Sequence, residues 1–148
     1  MQKKNVLFAL IVSLMLGLFI TLPGYCAPVD TTFEQLKLEL KSKGVSDEFI
    51  TTTENSVKRM ISSGAVLADI KSVLLDLWGE GRKGIALKNA VASVAELVES
   101  GDNTLEAAKI TSGVAHKAES EGLSGFSVGM RVKKAVQERK AYLKTLKN

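Results

Sequence analysis

Cysteine is all but missing from this chain. Cys26 is the single instance in 148 residues, and it stands at the end of an apolar leader, between Tyr25 and Ala27. If the leader is removed after Cys26, the working protein has no thiol. Disulfides, thiol catalysis and thiolate metal sites are then excluded together. An exported domain without disulfides must rest on its apolar core. Histidine is equally scarce. His116 is the only one, whereas a metal site needs three or four converging ligands. Ser112 lies one turn before it and Glu119 one turn after. This pattern marks no general-base partner, so His116 is expected at a helix surface or boundary. Aromatic residues make up 5% of the chain, too few to suggest a stacking platform, which argues against nucleic acid as a partner. G-x-S-x-G is absent, and Ser112-Gly113 and Ser124-Gly125 are not nucleophile elbows. No catalytic residue, cofactor or metal is expected.

The amino-terminal residues have the order of an export signal. Lys3 and Lys4 precede Val6–Leu22, 17 residues without a charge, and Pro23-Gly24 follows. Positive, apolar, then small is the secretory pattern. The alternative is an uncleaved anchor, for which 17 residues is short against roughly 30 Å of hydrocarbon. A lipid-bearing Cys26 fits poorly, because Tyr25 is bulky and Pro23 takes the usual leucine's place. The expectation is a signal peptide over 1–26 and a periplasmic or secreted domain over 27–148. Those 122 residues suit one domain with a real core. Their charge is uneven: 131–148 carries seven basic residues and one acid, while 27–130 carries eleven and fifteen.

Strand-like alternation is absent, and apolar residues recur at helical spacing. Phe33, Leu36 and Leu40 form one stripe, with Thr31-x-x-Glu34 as a capping box at its start. Phe49, Ile50, Val57, Met60 and Ile61 form a second, and Leu67, Ile70, Val73, Leu74, Leu77 and Trp78 a third. Leu87, Ala90, Val91, Val94 and Val98 make the fourth. Leu105, Ala108, Ala115 and Ala118 make the fifth, with Ile110 and Val114 beside it. Val128, Val132, Ala135, Val136, Leu143 and Leu146 make the sixth. Gly44, Gly64, Gly84, Gly101 and Gly122 punctuate them at helix-closing places. GVSDEFI (44–50) and GLSGFSV (122–128) repeat one corner: glycine stop, serine cap, and an apolar pair stapling the next helix. Asn103-Thr104-Leu105-Glu106 predicts a further cap. The expected fold is all-α, a compact bundle or short solenoid of five to six antiparallel helices after an N-terminal signal helix, with only a loose suggestion of repeats.

Few motifs carry functional colour. Gly79-Glu80-Gly81-Arg82-Lys83-Gly84 matches G-x-G-x-x-G, but a helix-patterned segment precedes it where a phosphate loop needs a strand. It reads as a basic interhelical loop. With Trp78, its Arg82 and Lys83 are candidate contacts for a partner. Asp47/Glu48, Glu96/Glu99 and Glu119/Glu121 read as solvated carboxylates. Gly125-x-x-x-Gly129 reads as a close crossing or a frayed first turn. Arg131, Lys133, Lys134, Lys140, Lys144 and Lys147 make the last helix a candidate contact for an anionic membrane surface or envelope polymer. The leading expectation is therefore a non-catalytic exported protein of the cell envelope that binds another, unknown envelope protein. Attachment to an anionic surface through residues 131–148 is the alternative, and a small hydrolase with dispersed carboxylates is the remote one.

Overall fold

A computed structural model describes residues 28–81 and 84–147. The expected signal segment, 1–26, lies outside the described residues. Six helices account for almost all of what is described, with no strand: α1 Val29–Ser42, α2 Asp47–Ser62, α3 Leu67–Gly79, α4 Gly84–Glu99, α5 Thr104–Ser120 and α6 Gly125–Thr145. Among the described residues no helix is long and apolar enough to cross a membrane.

The corners and caps form for the reasons the sequence suggested, with three amendments. After α1, Gly44 adopts φ +82°, and the Val45 N–H donates to the Leu40 carbonyl. That is the six-to-one bond of a helix stop closed by a left-handed residue, which only glycine adopts without a Cβ penalty. The same bond recurs at Ala65, Asp102 and Leu123. Ser46 then accepts from the Phe49 N–H and caps α2, while Val45 and Ile50 are both buried. At the other corner Leu123 is half-buried and Val128 buried, but the Ser124 hydroxyl makes no capping bond. The second amendment concerns Gly84, which begins α4 and closes nothing. The left-handed residue after α3 is Gly81, at φ +69°. Nor does Thr31 start α1. The helix begins at Val29 behind an extended Pro28, with no side-chain cap and with Asp30 in its first turn, where a carboxylate complements the helix dipole.

Packing follows a next-but-one rule. Apart from α3 and α4, each helix rests against its successor, and α1 also meets α3, α2 meets α4, α3 meets α5, and α4 meets α6. The result is a bundle-like body with one contiguous core, from Phe33, Leu36 and Leu40 through Met60, Leu74 and Leu77 to Val91, Val94, Leu97 and Val136. Burying each such aliphatic side chain contributes on the order of 1.5–3 kcal/mol.

The phase of α5 differs from the expected stripe. Its buried face is Thr104, Ala107, Thr111, Ala115 and Ala118, while Leu105 is exposed. Aliphatic periodicity alone missed the threonines. A helix that meets α3, α4 and α6 gains by presenting small residues, and Thr111 can be buried because its hydroxyl donates to the Ala107 carbonyl at 2.8 Å. At the far end of α6, Leu146 also lies in solvent.

Candidate functional site: a groove between the last three helices

Small residues on α5 leave space. Between α4, α5 and α6 lies a groove of about 610 Å³. Ala86, Ala90 and Ser93 supply one wall, Ser112 and Ala115 the floor, and Gly125, Gly129 and Val132 the other wall. A Cβ added to Gly125 or Gly129 would meet no atom within 4 Å. The Gly125-x-x-x-Gly129 spacing therefore does not mark a close crossing. Both glycines are exposed and line the groove.

Two large apolar residues frame this space. Phe126 is 81% exposed and Met130 is 54% exposed, and both line the groove. Spaced four apart on α6, they share one helix face. Scattered apolar residues on a surface need no explanation; these two are set apart by bordering the same groove. The sequence reading passed over both. Phe126 and Met130 fall off the buried stripe, and nothing in one dimension shows that they border a void.

Glu96 of α4 accepts from Lys140 at 2.6 Å and from Gln137 at 3.3 Å, tying α4 to α6. One turn further along α4, Glu99 accepts from Arg59 of α2 through two nitrogens, at 2.7 and 2.5 Å. The hydrogen bond to Arg59 holds the Glu99 carboxyl below its ordinary value, with partial burial opposing, and the same bond raises Arg59. Glu96 and Glu99 are thus not idle solvated acids: each ties α4 to another helix. Glu121 likewise pairs with Arg131.

The candidate contacts of the last helix divide. Arg131 is held by Glu121, Lys140 by Glu96, and Lys147 donates to the Ser100 carbonyl at 3.1 Å. Lys134 stands 3.8 Å from Glu138 on its own helix. Arg139, not singled out in the sequence, makes a further tie, to a buried carboxylate. It grips Asp102 with two bonds of 2.7 and 2.8 Å, and the Asp102 side chain is only 4% exposed. The excess of positive charge in 131–148 largely answers acids and carbonyls at the carboxyl end of α4 and around it. Lys133 and Lys144 are exposed, and no described residue pairs with either.

The other candidates lie elsewhere. Trp78 is half-buried against the core, its ring edge-on to Phe49 at 5.3 Å. Arg82 and Lys83 are outside the described residues. His116 is exposed, 3.6 Å from Glu80 and 3.7 Å from Glu119. Among the described residues no group of three or more His, Cys, Asp or Glu is placed to hold a metal ion. Comparison with protein-family models, curated proteins and solved structures finds no match for this chain.

Proposed function

We propose that this chain is a non-catalytic helical binding protein of the cell envelope, exported by its leader to the periplasm or beyond. It works by receiving an apolar segment of a partner between α4, α5 and α6. The observation that carries this reading is the open groove with Phe126 and Met130 exposed along its edge. Grooves between packed helices are a recurrent means of holding apolar anchors. A hydrolase would need carboxylates perturbing one another; here Glu96 and Glu99 are each occupied by a cation. Attachment to an anionic surface through the last helix draws support from Lys133 and Lys144 alone, since Arg131, Lys140 and Lys147 are engaged within the chain.

Two variants test the reading. The exported chain, captured from envelope extracts in high salt, is expected to bring down one defined protein. Phe126→Asp and Met130→Asp together should lose that protein without changing the helical circular dichroism. Recovery indifferent to both changes, or dependent only on 131–148 and abolished by salt, would refute the groove as the working surface. The mass of the exported form checks the leader: a start at Ala27 agrees with removal of 1–26, and a diacylated Cys26 contradicts it.

A further inference from the structure

Resting on the groove as the working surface, we propose that it also takes up the apolar tail of a single-chain anionic amphiphile, a long-chain carboxylate bound as a free monomer with its headgroup at Lys133, in competition with the partner's segment. Two features point to this class of ligand.

The first is size. The groove's volume of about 610 Å³ falls within the range of about 300–1,000 Å³ that single small organic ligands occupy. Its α4 wall runs from Ala86 to Glu96, a span of about 15 Å at the helical rise. Ala86, Ala90, Ala115, Val128 and Val132 give the tail apolar walls.

The second is charge. Four charged residues line the groove: Arg59, Glu96, Glu119 and Lys133. Arg59 is held by Glu99 and Glu96 by Lys140. Glu119 stands 3.7 Å from His116 and has a further interaction. Lys133 alone among the four has no opposite charge within reach among the described residues. An apolar site whose one uncommitted charge is an ammonium is complementary to an apolar anion, and a carboxylate there would complete its ion pair.

The test uses laurate below its micelle-forming concentration, with dodecyltrimethylammonium as the cationic control. Both are titrated calorimetrically into the exported chain. Laurate should bind saturably, one per chain, and dodecyltrimethylammonium at least about tenfold more weakly. Lys133→Glu should reverse that preference, since a single charge pair at a protein surface accounts for a factor of this order. Lys133 is exposed and unpaired, so the variant leaves the fold intact. Gly129→Leu, which places a side chain in the groove, should abolish both titrations.

Laurate uptake only at micellar concentrations, or unaffected by Lys133→Glu, overturns the proposal. So does a dimer, seen by sedimentation without any amphiphile, that Gly129→Leu dissolves, since a second copy would then be the occupant. If neither amphiphile binds while Phe126→Asp and Met130→Asp still cost the chain its envelope partner, the amphiphile is refuted and the groove stands. If both bind and Gly129→Leu changes nothing, the groove itself falls with it.

Discussion

Gly129 offers the sharpest test of the architecture, because a single methyl group distinguishes an open groove from a packed crossing. It is the fifth residue of α6, inside the helix. Glycine there is less favourable than alanine by about 0.8–1.0 kcal/mol, through the backbone freedom it loses on folding. Gly129→Ala would be penalised only if the new methyl met something, and the structure places no atom within 4 Å of it. The whole propensity gain should therefore appear as stability. In a domain of this size about 1 kcal/mol raises Tm by about 4 °C. Gly113→Ala is the control, since Gly113 is exposed on α5 with equally open surroundings and does not line the groove. Thermal melts followed by circular dichroism, with urea titrations alongside, should give both variants the same increment. Should alanine stabilise at 113 and destabilise at 129, the amino-terminal half of α6 packs closely against a neighbour and the groove does not exist. The corollary is that glycine costs α6 about 1 kcal/mol at this position.

The two serine corners should behave differently despite their likeness in sequence: Ser46→Ala loses a cap that the Phe49 N–H uses and should cost about 1 kcal/mol in urea titrations, while Ser124→Ala, with no capping bond to lose, should be close to neutral. An equal loss at both would show that Ser124 caps α6 after all. Acid sensitivity should involve the Arg59–Glu99 tie. Glu99 ionises below its ordinary value of 4.5 in the folded chain, so its contribution is complete above the unfolded-state value and disappears as pH falls through the lower folded one. Melting temperatures taken from pH 6 down to pH 3 should fall less steeply for Glu99→Gln, and an unchanged slope would mean that the pair is idle in solution.

How much of this was legible in one dimension depends on which contacts are local. Glycine stops, the Ser46 and Asn103 caps and most apolar stripes involve residues within a few positions of one another, so spacing alone exposes them. Asn103 does accept from the Leu105 and Glu106 N–H groups, as its sequence suggested. The errors came where a neighbouring helix decides. Leu105 looks like core until α5 is placed among three partners that need small residues against them. The series of glycines pointed to Gly84, when the backbone turns at Gly81. Glu96 and Glu99 look like a solvated pair until α6 and α2 bring Lys140 and Arg59 to them, 44 and 40 residues away in the chain.

The sequence by itself settled that this domain is built of helices held by aliphatic burial without a crosslink, because period, caps and residue counts are properties of the chain taken a few residues at a time. It also settled where the positive charge lies. Only the tertiary structure decided which of those charges are committed: Lys140 meets an acid of α4, Arg139 and Arg131 meet acids in the turns after α4 and α5, and Lys133 meets none. It likewise decided that Gly125 and Gly129 border a space. A gap between helices is a property of three surfaces at once, and no residue or spacing encodes a distance that appears only when all three are brought together.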